Sequence, residues 1–327
     1  MSFQGGIAAP NGGFKGSAVT VNCAKLSANF FLRKGNERVW KVSKTGTELQ
    51  PSQLADWASA VRRIAEDAGL RIMEVYEAEG ELLVEQKSDD SPLTLADRRA
   101  HEHIEQALTQ LTPSIPILSE ESDSLPYEQR SAWQRYWLVD PLDGTKEFIS
   151  RNGEFTVNIA LIEDGRSILG VVHVPVSKVS YTGFLSSSGN SASKWQAGKE
   201  FALRTATAGN QALRIVASRR HRGERLEALL GQIAKEHALA DVVSIGSSLK
   251  MCLIAEGAAD LYPRLAPTSE WDTAAAHAIL SAAGGEIVNL DFKPLQYNQK
   301  ASLLNPEFIA LGDRDFGWQR LLADASA

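Results

Sequence analysis

Cysteine is scarce in this chain: Cys23 and Cys252, far apart, are the only two in 327 residues. That excludes a disulfide framework and a cysteine-based zinc site, and two isolated thiols suit a reducing compartment. A positive balance is also lacking. Lys and Arg number 34 against 40 Asp and Glu, a net charge of −6, which argues against nucleic acid as the main partner while leaving room for one local basic pocket. Long apolar runs are missing too, so the sequence predicts no transmembrane segment. It also lacks a secretory signal with an apolar core and a small-residue cleavage site. The expected location is the cytoplasm, and no internal repeat is found.

What is present is enough apolar sequence for a sizeable core. Residues 1–51 stand apart, Gly- and Ser-rich at the start and carrying seven Lys or Arg against two Glu in the first fifty. They show no sustained period and read as a weakly ordered extension. From Pro51-Ser52 the texture changes. Ser52 is placed to cap a helix whose apolar residues Leu54, Trp57, Val61, Ile64 and Ala68 recur at helical spacing, with the run continuing through Ile72 and Val75. A short strand is expected at Leu82-Leu83-Val84. A second helix should begin near Thr94 or Asp97 and end before Pro113, followed by a strand over 115–118. Phe155 to Ile162 and Ser167 to Val174, joined across Asp164-Gly165, predict a hairpin. Beyond a polar stretch the pattern becomes strand, helix, strand over 213–245. A short helix over 248–256, a strand over 259–264 and a helix over 273–283, stopped by Gly284-Gly285, complete the pattern. The sum is a layered α/β protein, divided after residue 185 into parts spanning 52–185 and 186–327.

The most informative stretch is Trp137-Leu138-Val139-Asp140-Pro141-Leu142-Asp143-Gly144-Thr145. An apolar strand ends in two carboxylates three residues apart, held around a proline and followed by a glycine. Burying both acids costs free energy unless something positive neutralises them. The donor type points to a hard cation: Mg²⁺, Mn²⁺ or Ca²⁺. An EF-hand calcium loop fails on spacing, lacking alternate-residue ligands and a terminal Glu. Other acids share the address at an element end: Glu120 and Glu121 after a strand, Asp97 and Asp272 at helix starts, with Glu270 nearby. Read singly, Asp97 and Asp272 serve equally well as simple helix caps and the glutamates as solvated loop residues. Their joint pattern is what calls for a cation.

Glu120-Glu121, Asp140-Pro141-Leu142-Asp143-Gly144-Thr145 and Trp271-Asp272-Thr273-Ala274-Ala275 together resemble, in order and separation, the three motifs of the Mg²⁺-dependent, lithium-sensitive inositol monophosphatase superfamily. The resemblance runs from about residue 52 to the C-terminus. Within the superfamily, 87–97, 137–149, 152–161, 244–250 and Leu261-Tyr262-Pro263-Arg264 look most like the bacterial CysQ-type 3′(2′),5′-bisphosphate nucleotidases. Arg220, where relatives often carry a small residue, departs from that pattern.

The resemblance implies an αβαβα sandwich. It implies two or more Mg²⁺ held by Glu120, Asp140, Asp143, Asp272 and the Leu142 carbonyl, with Asp97 and Thr145 orienting or deprotonating the attacking water. Most metal ligands then fall in 52–185. The last ligand and the nucleotide-binding residues fall in 186–327. Gly144 and Thr145 would cradle phosphate through backbone N–H groups, and Ser218, His221, Ser247, Lys250 and Arg264 would hold the nucleotide. Taken alone, Lys250 reads equally as a solvated lysine and His221 as a surface histidine. The implied partner is a small nucleotide, adenosine 3′,5′-bisphosphate. The alternative substrate is an inositol or other sugar phosphate, and a non-catalytic nucleotide- or RNA-binding regulator is the rival of another class. Some relatives of this type sit on the cytoplasmic face of the bacterial inner membrane, the alternative to a free cytoplasmic enzyme.

Overall fold

The computed structural model describes residues 33–34, 37–38, 49–78, 84–86, 92–123, 125–209, 211–218, 223–240 and 242–322; the first four residues and 84–86, 92, 93 and 218 are described by backbone alone. Contacts divide the chain into Met1–Lys41 and Val42–Ala327. In the first unit β1 (Arg33–Lys34) pairs antiparallel with β2 (Glu37–Arg38). The remainder of the extension read at 1–51 lies outside the described residues up to Leu49.

In the second unit the elements run α1 (Pro51–Tyr76), β3 (Val84–Gln86), β4 (Pro92–Thr94), α2 (Leu95–Leu111), β5 (Ile117–Ser119), α3 (Tyr127–Arg130), β6 (Arg135–Asp143) and α4 (Thr145–Ile149). There follow β7 (Thr156–Glu163), β8 (Arg166–Val174), β9 (Val179–Phe184), β10 (Ser191–Gln196), β11 (Lys199–Ala202), β12 (Val216–Ser218), α5 (Glu224–Glu236) and β13 (Val243–Ile245). The last are α6 (Leu249–Ala255), β14 (Leu261–Arg264), α7 (Glu270–Ala283), β15 (Glu286–Asn289), β16 (Phe308–Leu311) and α8 (Trp318–Leu322). A seven-stranded sheet has the order β11-β10-β9-β8-β7-β6-β5, antiparallel throughout except for the parallel pair β5–β6. A smaller antiparallel sheet has the order β14-β16-β15.

Strand alternation builds the layers. On one face of the large sheet, Trp137, Val139, Ile159 and Val171 pack with α1 and α2 residues such as Val61, Ile72, Ile104 and Leu108. On the other, Tyr136, Leu138, Ala160 and Val172 pack with Met251 and Cys252 of α6, Ala275 and Ile279 of α7, and the inner face of the small sheet. The outer face of the small sheet, through Leu261, Ile309 and Leu311, packs with α5 and α8. The order is helix, sheet, helix, sheet, helix, the sandwich that the resemblance implies.

Local details depart from the sequence expectation in informative ways. Gln50, not Ser52, is the N-cap of α1, and Pro51 occupies the first helical position, where its missing N–H costs nothing. The hairpin turn is as expected: Asp164 and Gly165 both adopt positive φ, 48° and 76°, as a type I′ turn requires. The apolar strand ends in the two carboxylates as expected, but it is not regular there. β6 runs on to Asp143 through a register shift, in which Asp140 faces Asn158 and Asp143 faces Thr156 of β7. Three steps along β6 match two along β7, so one extra residue is inserted.

Candidate active site

That inserted residue places the acids. In a regular strand, positions 140 and 143 point to opposite faces. The bulge reverses the parity: Leu142 joins the core beneath α1 and α2, although Tyr136 and Leu138, also even-numbered, face α6 and α7. Asp140 and Asp143 therefore share one side. The Leu142 N–H, freed from the ladder, donates to Asp140 Oδ1 at 3.0 Å.

α7 brings in the third aspartate. Ser269 is its N-cap, and Asp272 stands three positions on, its Oδ2 accepting from the Ser269 N–H at 2.8 Å. Asp97 repeats this design on α2. Its Oδ2 accepts from the N–H of the N-cap Thr94 at 2.8 Å, while the Thr94 hydroxyl caps the helix in return. Both residues are capping-box partners, not N-caps. One ligand oxygen from each of Asp140, Asp143 and Asp272 lies within 4.8 Å of the others. Glu120 follows β5 and is set beside β6 by its N–H, which donates to the Val139 carbonyl at 3.0 Å.

Electrostatics mark the cluster as unbalanced. Burial, then repulsion from Glu120, Asp143, Asp272 and Asp97, pushes the Asp140 carboxyl well above the usual carboxylate range. Asp272 is raised in the same way by burial, Asp143 and Glu120, against the opposing pull of the Ser269 N–H and Arg264. A divalent ion relieves both costs, and an all-oxygen donor set fits a hard cation. The donors present therefore suit Mg²⁺ or a similar ion.

Asp143 and Asp272 open onto a cavity of about 250 Å³, whose lining also includes Gly144, Lys146, Glu147, Ser247, Lys250, Tyr262, Arg264 and Thr268. Gly144, with φ 94°, turns the chain into α4. Ser247 holds a positive φ of 47° without being glycine, and its buried Oγ has no hydrogen-bond partner among the described residues. Lys250 is 5% exposed. Its ammonium donates to the carbonyls of Ile245 and Ser247 at 3.1 and 2.6 Å and stands 5.3 Å from the Tyr262 ring centre. Burial pushes its pKa down to about 8 although Asp143, Glu147 and Glu154 pull the other way. Arg264 is anchored to the carbonyls of Ala266 and Pro267 at 3.1 and 2.9 Å.

The sequence-predicted residues Asp143, Asp272, Gly144, Ser247, Lys250 and Arg264 thus meet in one cavity. Thr145 opens α4, and its hydroxyl lies 3.5 Å from the Leu142 carbonyl. Ser218 ends β12, described by backbone alone. His221, Arg220 and the loop 87–91 lie outside the described residues. Sequence reasoning missed Thr156, Asn158 and Ser248, all converging on Asp143 Oδ2, and Glu154, whose Oε2 accepts the Gly246 N–H at 2.8 Å. The Ser247-Ser248 doublet is visible in the sequence, but the resemblance implies a role only for its first member.

The fold and this carboxylate-lined cavity define a class, and comparison agrees. The model of the inositol monophosphatase family matches residues 53–315, and the chain belongs to that family. It is 50% identical over 250 residues to the 3′(2′),5′-bisphosphate nucleotidase CysQ of Salmonella typhimurium, covering 76% of this chain and 96% of that one. The same figures hold for the protein of that name from Escherichia coli K12. The crystal structure of CysQ from Bacteroides thetaiotaomicron, described as a bacterial member of the inositol monophosphatase family, superposes with a TM-score of 0.69. It is 41% identical, and the match covers 80% of this chain and 98% of that one.

Proposed function

We propose that this chain is a Mg²⁺-dependent 3′(2′),5′-bisphosphate nucleotidase that converts adenosine 3′,5′-bisphosphate to AMP and phosphate. The 3′-phosphorylated sulfate-activated nucleotide is a second substrate, and the role is clearance of a by-product of sulfur assimilation. The observation that carries the reading is the mixed lining of one cavity, which holds the metal-type carboxylates Asp143 and Asp272 together with the buried cations Lys250 and Arg264. A substrate with two phosphates matches a site that offers both metal-type carboxylates and cations, and 50% identity to proteins named for this activity supports it.

Glu120, Asp140, Asp143, Asp272 and the Leu142 carbonyl would hold the ions. The chemistry that bound divalent ions supply is neutralisation of the phosphate and acidification of the attacking water. Asp97, fixed by Thr94, and Thr145 orient that water. Its oxygen forms the new bond to phosphorus as the bond to the 3′-oxygen breaks, and a proton ends on the released hydroxyl. Lys250 keeps one N–H beyond the two given to carbonyls, and with Ser247 Oγ it receives the second phosphate.

Lys250→Ala tests this reading. The kcat/KM for adenosine 3′,5′-bisphosphate should fall roughly 10- to 100-fold, as expected for a lost charged hydrogen bond. The value for adenosine 3′-monophosphate should change far less. Equal losses on both substrates would remove Lys250 from phosphate recognition.

A further inference from the structure

Asp143 Oδ2 is crowded with donors. The Ser248 N–H and the Ser248 hydroxyl each approach it at 2.7 Å. The Asn158 amide lies at 3.3 Å and the Thr156 hydroxyl at 3.4 Å. The same Ser248 hydroxyl lies 2.9 Å from the backbone carbonyl of Asp272 and accepts from Asn158 Nδ2 at 2.7 Å. Asn158 is held in turn by the Thr156 hydroxyl, 3.0 Å from its Oδ1. Thr156, Asn158 and Ser248 are 0, 1 and 1% exposed, so water does not substitute for these bonds.

From this geometry we infer that Ser248, backed by Asn158, is a positioning residue for divalent-metal binding, though neither is among the proposed metal or nucleotide ligands. The inference rests on the metal reading of the site proposed above. A hydroxyl has one proton to give, and here it is shared between a side-chain oxygen of one aspartate and the main chain of another. One serine thereby ties the β6 bulge to the start of α7, the two elements that must keep Asp143 and Asp272 in register. Occupying Oδ2 also leaves Asp143 a single oxygen for a cation. Monodentate carboxylates suit the small octahedral Mg²⁺ and Mn²⁺, whereas Ca²⁺ accepts bidentate ones and a looser shell. Outer-shell hydrogen bonds of this type typically govern about 10- to 100-fold in metal affinity.

The test is Mn²⁺ binding to the full-length, substrate-free protein by calorimetry and electron paramagnetic resonance, alongside melting of the metal-free protein. Ser248→Ala should raise the Mn²⁺ dissociation constant about 10-fold at a temperature where the variant is folded. Asn158→Ala should weaken binding in the same direction. The double variant should bind within about twofold of Ser248→Ala alone, because both act through one bond network. A folded Ser248→Ala protein that melts lower yet binds Mn²⁺ as tightly as wild type would make the serine merely structural and overturn the inference. Should Ser248→Ala not fold, Asn158→Ala decides alone: weakened binding upholds the inference, and unchanged binding overturns it. If the wild type binds no Mn²⁺, the metal reading itself fails, whatever the variants do.

Discussion

Each clustered aspartate gives one oxygen to a protein donor: Asp140 to the Leu142 N–H, Asp143 to Ser248 and Asp272 to the Ser269 N–H. The carboxylates are therefore oriented before any ion arrives, and their mutual repulsion is stored in the metal-free state. Asp140→Asn removes one buried charge from that cluster. It should abolish Mg²⁺-dependent turnover while the metal-free melting temperature stays level or rises. Retained activity or a collapsed fold would contradict the assignment. Elsewhere, His173 shows the opposite response to burial. Its Nδ1 lies 2.9 Å from Ser180 Oγ, which donates to Glu66 at 3.0 Å, and desolvation pushes the imidazole down to about 4. The unfolded histidine takes up its proton near pH 6.5 and the folded one does not, so stability is lost as pH falls from 6.5 towards 4. Urea unfolding at pH 7 and 4.5 should show wild type losing roughly 2–3 kcal/mol more than His173→Gln. Equal losses would place the histidine's titration elsewhere. Of the residues, the acids are legible because several carboxylates share the ends of strands and helices, a joint pattern that needs a cause although each acid alone would pass as a cap or a solvated loop residue. Ser248, Asn158 and Thr156 are not. Short polar residues are ordinary in loops and strands, and these meet Asp143 only through contacts spanning 13 to 105 positions.

At the scale of elements, the position of α7 decides whether Asp272 reaches its partners. The helix lies so close to the large sheet that a Cβ added at Gly170 would stand 2.0 Å from the Ala275 carbonyl oxygen, and one at Gly183 2.6 Å from the Ile279 Cα. Gly170→Ala must therefore push helix and strand apart. It should cost about 1–3 kcal/mol or more in chemical unfolding and raise the Mg²⁺ concentration for half-maximal activity, because Asp272 moves with the helix. Loss of stability with an unchanged Mg²⁺ requirement would count against Asp272 as a metal ligand. Helix and hairpin positions were readable from periodicity and from Asp164-Gly165. The bulge was not. The sequence shows an apolar strand ending in Asp140 and Asp143 around a proline, and only the pairing with Asn158 and Thr156 shows that one residue is inserted between them.

For the molecule as a whole, no helix of the described residues is long and apolar enough to cross a membrane. The five layers put the carboxylates where β6, α7 and the 245–250 segment converge, and the small sheet delivers Arg264, the last residue of β14, to the same cavity. Pattern alone yields alternating helices and strands, but not which face of each sheet a helix covers. That order came from the motif resemblance, and it agrees with the packing of the three cores. The substrate is the least legible feature, because Ser247, Lys250 and Arg264 are unremarkable until the fold brings them into one cavity with Asp143 and Asp272. The most direct test is steady-state hydrolysis of adenosine 3′,5′-bisphosphate and of inositol 1-phosphate, with Mg²⁺ and with Mg²⁺ chelated. The prediction is a far higher kcat/KM for the bisphosphate, and no turnover of either ester once Mg²⁺ is removed. A higher kcat/KM for the inositol ester, or undiminished hydrolysis after chelation, would contradict it.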